Sequence, residues 1–105
     1  MAHADTTPRT TVPELTGFQR DLLFVIADLE PVKGTKIKAE LEAYYTTEIN
    51  HGRLYPNLDT LVESGLATKG RRDKRTNEYG LTARGRALLE SRREWERERF
   101  GKVPA

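Results

Sequence analysis

Three features of the sequence predict a mainly α domain with a small β-hairpin. Three successive segments carry apolar residues at helical spacing, each opened or closed by a capping or breaking residue. A strand, a charged turn and a returning strand follow. The chain then ends in a long charge-rich segment with a thin apolar stripe. Helix, helix, helix, two-stranded hairpin and long helix is the order of a winged helix-turn-helix with a C-terminal dimerisation helix.

The elements justify themselves in order. Residues 1–14 are rich in Thr, Pro and Ala without an apolar period, and read as a flexible N-terminal arm. Thr16 with Gln19 makes a capping box, and Phe18, Leu22, Val25, Ile26 and Leu29 form one stripe. Leu23 and Phe24 lie off that stripe and imply a second covered surface. Pro31 and Gly34 mark a connector. Thr35 is the expected N-cap of a second helix striped by Ile37, Leu41, Tyr44 and Tyr45, with these tyrosines and Tyr79 facing the core. Asn50 caps a third helix, residues 50–64, with Leu54, Leu58, Leu61 and Val62 inward and Gly65 as its left-handed stop. Pro56 lies inside this helix and is expected to weaken or bend its first turns. Residues 66–70 and 77–81 are the strands of the wing. Thr82 caps the last helix, which reaches about Phe100. The expected organisation is therefore an arm (1–14), a winged-helix DNA-binding domain (15–81) and a dimerisation helix with its tail (82–105).

Composition narrows the function. A chain of 105 residues is one domain with a modest core. With no cysteine, disulfides, thiolate catalysis and zinc fingers are excluded. Two histidines far apart in sequence, no Gly-rich phosphate loop and no placed carboxylate pair leave no enzyme motif, metal site or cofactor to expect. No apolar run approaches a membrane span and no leader is visible, so the expected compartment is the cytoplasm, at the nucleoid. The net charge of +2 hides an asymmetry: residues 1–65 carry six Lys/Arg against ten Asp/Glu, and residues 66–105 twelve against six. A basic second half points to a polyanionic partner.

The third helix and the hairpin carry the functional signal. Opposite the leucine stripe lie Gly52, Arg53, Pro56 and Thr60, small and basic at the start, with Asp59 and Glu63 only later. That is the face of a helix whose first turns enter a major groove. Gly52 permits close approach, Arg53 is suited to guanine O6 and N7 or to a phosphate, and Asn50, His51 and Asn57 flank the face with hydrogen-bonding groups. In the wing, Lys69, Arg71, Arg72, Lys74 and Arg75 place five cations within seven residues, with Asp73 the one acid among them. Repelling cations at a hairpin tip suit phosphates. Leu88 and Trp95, seven residues apart, share a face of the last helix, and with Leu23 and Phe24 they are the expected homodimer interface.

Residues Asn50 to Leu66, with Leu54-Tyr55-Pro56 at their heart, resemble the signature of PadR-like transcriptional regulators, in the version found in halophilic archaea. Tyr79-Gly-Leu-Thr82-Ala-Arg-Gly85 is similar to that family's return strand and last helix start. The resemblance covers about Leu15 to Trp95. It implies a winged-helix dimer, usually a repressor, with the Tyr55 hydroxyl on a phosphate and Pro56 a normal feature. Many members bind phenolic or drug-like effectors between subunits. The short C-terminal part here leaves little room for one, and the effector stays unknown.

The expected function is a homodimeric, sequence-specific regulator of double-stranded DNA, a repressor, with helix 50–64 in the major groove and the 69–76 wing on the backbone. The alternatives are a protein–protein interaction module of the same fold and a non-specific architectural DNA binder. An RNA or single-strand binder would need an exposed aromatic platform.

Overall fold

The computed structural model describes residues 15–101. The expected N-terminal arm and the last four residues lie outside them. Helix α1 spans Gly17–Leu29, strand β1 Val32–Lys33, α2 Gly34–Tyr45, α3 His51–Glu63, β2 Ala67–Arg71, β3 Asn77–Leu81 and α4 Ala83–Glu96. A π-helical turn, Arg97–Gly101, extends α4. The architecture is a winged helix: three helices, a small antiparallel sheet and a C-terminal helix.

Three helix starts follow from their caps. Thr16 Oγ1 accepts the Gln19 N–H at 3.0 Å while Gln19 Oε1 accepts the Thr16 N–H at 3.1 Å, closing the capping box on α1. Asn50 Oδ1 accepts the Arg53 N–H at 2.8 Å at the head of α3, and Thr82 Oγ1 accepts the Gly85 N–H at 2.9 Å at the head of α4. Gly65 stops α3 at φ 77°. Its N–H donates to the Val62 carbonyl and that of Leu66 to the Leu61 carbonyl, both at 3.0 Å. Pro56 leaves α3 unbroken, and its carbonyl accepts the Thr60 hydroxyl at 3.0 Å.

Four expectations are corrected. The sheet has three strands, ordered β1-β3-β2, because Val32 and Lys33 pair with Tyr79 and Glu78 where a plain connector was expected. This pairing starts α2 at Gly34, so the N-cap position is Lys33 rather than Thr35, and no side chain caps it. Leu23 and Leu88 are buried in the chain's own core rather than exposed for a second copy. The cause is that α1 is packed on two sides, against α2 and α3 and also against β3 and α4. Tyr44 points outward at 76% exposure, whereas Tyr79 is buried and Tyr45 half-buried as expected.

Two joints fix how the helices sit on the sheet. Glu30, just past α1, accepts the Leu81 N–H at 2.7 Å with one carboxylate oxygen and an Arg86 N–H at 2.9 Å with the other. Gly85 crosses the chain after α3 so closely that a Cβ there would lie 2.2 Å from the Leu66 carbonyl oxygen, which already accepts the Thr82 N–H at 3.2 Å. No helix among the described residues is long and apolar enough to cross a membrane.

Candidate nucleic-acid interface

The turn between α2 and α3 sets the angle of the third helix. Glu42 reaches across it to accept the Ile49 N–H at 2.9 Å and the Lys38 ammonium at 2.7 Å. These two donors hold the Glu42 carboxyl below its ordinary range. Ile49 is buried beneath the turn.

The first two turns of α3 present the expected face. His51, Gly52 and Arg53 are exposed. A Cβ added at Gly52 would meet only the Asn50 side chain, at 3.3 Å, so this surface is open to a close partner. The Arg53 guanidinium lies 3.9 Å from the centroid of the Phe18 ring. His51 meets Tyr55 edge-on at 5.5 Å. Two expected contact residues also have structural work. Asn50 caps the helix with its side-chain oxygen. Asn57 is half-buried, donates to the Arg53 carbonyl at 2.8 Å and accepts from Gln19 Nε2 at 2.9 Å. Both groups of the Asn57 amide are thus engaged between α1 and α3. Beside them the Tyr45 hydroxyl donates to Asp21 at 2.5 Å; partial burial and this bond push its pKa up to about 12, against the nearby Arg53 charge.

The wing is less uniformly free than five adjacent cations suggest. Lys69 pairs with Asp59 of α3 at 3.0 Å, and Arg72 with Glu78 of β3 at 2.9 Å. The bond to Asp59 raises the Lys69 pKa. Asp73 organises the tip by accepting the Arg75 N–H at 2.9 Å, which holds its carboxyl low. Arg71, Lys74 and Arg75 remain exposed and form no ion pair among the described residues.

A cleft of about 340 Å³ joins the two elements. Tyr55 of α3, Arg75 and Asn77 of the wing, and Lys33 and Thr35 at the start of α2 line it. The Tyr55 ring rests on Gly34, where a Cβ would fall 2.7 Å from ring carbon Cε1 and 2.8 Å from the hydroxyl oxygen. Lys33 and Thr35 are the residues sequence reasoning missed. The signal for them was Gly34, which serves as a close-packed helix start rather than a connector. The site therefore combines exposed donors on a helix end, three exposed cations on a hairpin and a polar cleft between them, a set suited to a polyanion.

Three further apolar side chains are exposed, one on α1, one on α4 and one in the turn that extends α4. Phe24 is 41% exposed, Trp95 47% and Phe100 83%. The Arg92 and Arg99 guanidinium groups lie 4.5 and 4.3 Å from the Trp95 ring centroid. Of the four residues expected at a dimer contact, Phe24 and Trp95 are available here.

Residues 22–91 match the model of the transcriptional regulator PadR-like family. Among solved structures, RosR of H. salinarum, grown from NaBr, is 48% identical with a TM-score of 0.82, covering 87% of this chain and 82% of that one. A complex structure of hsRosR-S4 is 47% identical with a TM-score of 0.86, covering 91% and 83%. FabT of Streptococcus pneumoniae, solved in complex with DNA, shares the fold at 19% identity and a TM-score of 0.70, covering 85% of this chain and 59% of that one. No protein of curated function matches the sequence.

Proposed function

The chain belongs to the PadR-like family of transcriptional regulators, and we propose that it binds specific double-stranded DNA sequences as a homodimeric repressor. In this reading α3 enters the major groove. Arg53 and His51 face base edges there, and Gly52 lets the backbone come close. Arg71, Lys74 and Arg75 of the wing, with Lys33 and the Tyr55 hydroxyl, hold phosphates on either side of the cleft. Phe24, Trp95 and Phe100 cover each other across a two-fold axis, which spaces two α3 helices for paired half-sites. Its place of work is the nucleoid.

The observation that carries the reading is the cleft that brings Tyr55 of α3 and Arg75 of the wing to one surface with Lys33. Two elements distant in sequence converge there with donors and cations. A protein-binding module has no need of that convergence.

The test begins with selection of duplexes from a random-sequence pool. Fluorescence anisotropy then compares an enriched duplex with a scrambled one across a salt series, and sedimentation gives the mass of the free protein. The expected result is a dimer that prefers the enriched duplex by at least about a thousandfold, with a steep salt slope. No enrichment, or equal binding to both duplexes, would reduce the protein to a non-specific binder.

A further inference from the structure

We infer that Phe18 is a positioning residue for sequence reading: its ring holds the Arg53 guanidinium in the pose from which it reads a base. This rests on the base-reading role proposed for Arg53. Phe18 is the second residue of α1 and is buried, so its ring is fixed by the core. The Arg53 Cζ sits over the ring, 3.9 Å from its centroid, within the range of a cation–π contact. The next residue, Gln19, donates to Asn57, which in turn donates to the Arg53 carbonyl. One turn of α1 therefore holds both the main chain and the side chain of Arg53. No carboxylate pairs with Arg53 among the described residues.

A ring under the guanidinium holds it without engaging its N–H donors as a carboxylate would, and those donors can make the two-point contact to guanine. A phosphate accepts an arginine from many rotamers, whereas a guanine edge accepts it from few. Restricting Arg53 before binding lowers the ordering loss mainly on the matched duplex. The ring thus contributes to preference more than to general affinity.

The test is a double-mutant cycle on the enriched and scrambled duplexes. Phe18→Met keeps a large apolar side chain and removes the ring; Phe18→Tyr keeps the ring. Phe18→Met is expected to lower the enriched-to-scrambled preference about threefold to tenfold, while Phe18→Tyr retains it. In the Arg53→Ala background Phe18→Met is expected to lower preference no further, an outcome a packing role would not produce. Equal loss in both backgrounds would assign Phe18 to packing alone. Unchanged or increased preference in Phe18→Met, with preference lost in Arg53→Ala, would overturn the platform and leave base reading intact. Unchanged preference in Arg53→Ala would remove both. Should Phe18→Met fail to fold, the unaltered protein answers by NMR. Ring-current shifts on the Arg53 side-chain protons are expected in the free protein and in the complex, and their loss on binding would contradict the inference.

Discussion

The head of α3 and the tip of the wing offer the same chemistry, exposed cations, but hold it in opposite ways. On α3 every group around Arg53 is tied. Asn50 caps its amide, Asn57 takes its carbonyl and Phe18 underlies its guanidinium. On the wing Arg71 ends β2, and Lys74 and Arg75 extend from the five-residue turn that follows, organised by Asp73; none of the three forms an ion pair among the described residues. The difference fits the two tasks proposed for them. A base edge offers donors and acceptors at fixed positions and rewards a side chain already in place. A phosphate row is a continuous line of charge that a mobile cation meets in many poses.

The largest expected effect comes from breaking the joint that both regions share. Gly85→Ala drives a Cβ into the Leu66 carbonyl between α3 and β2. It is expected to lower stability by about 3 kcal/mol in urea denaturation, disabling both regions together. Gly34→Ala acts on the cleft between them by pushing the Tyr55 ring off α2. A loss of about 1–2 kcal/mol of stability is expected, with weaker binding to every duplex.

A finer prediction separates wing cations from one another. Lys74→Ala is expected to reduce the salt slope of binding by about one, as a lost phosphate contact does. Arg72→Ala is expected to reduce it less, since its partner Glu78 already neutralises it. Equal slopes for the two variants would show that the Arg72–Glu78 pair opens on DNA.

The smallest effect concerns the turn that aims α3. The Glu42 carboxyl lies below its ordinary 4.5 because the Ile49 N–H and Lys38 favour its charged form. A depressed carboxyl adds stability above its unfolded pKa, and that stability is lost as pH falls through the folded value. Glu42→Gln is therefore expected to be less stable than the unaltered protein at neutral pH, with the gap closing in acid below about pH 4.5. A gap independent of pH would remove Glu42's charge from the account.

Much of this frame is legible in the sequence because its signals are local. Thr16, Asn50 and Thr82 each cap a helix through a residue three positions on, and Gly65 stops one by its own φ. What escaped depends on partners remote in sequence. A two-residue strand has no period, so β1 was invisible before Tyr79 and Glu78 paired with it. Helical spacing identifies one buried face, and the sequence does not show that α1 is also packed against β3 and α4. The site divides in the same way. His51, Gly52 and Arg53 could be read from one helix turn. The pairing of Lys69 with Asp59 depends on how β2 lies against α3. The bond from Gln19 that occupies the Asn57 oxygen depends on where α1 ends up.

The most direct measurement sets Arg53→Ala beside Arg75→Ala, each titrated with the enriched and the scrambled duplex across a salt series. The account predicts that Arg53→Ala loses about 1–3 kcal/mol on the enriched duplex and little on the scrambled one. It predicts that Arg75→Ala weakens both alike and lowers the salt slope by about one. Equal losses on both duplexes for Arg53→Ala, or a loss of preference in Arg75→Ala, would contradict the division between a reading helix and a holding wing.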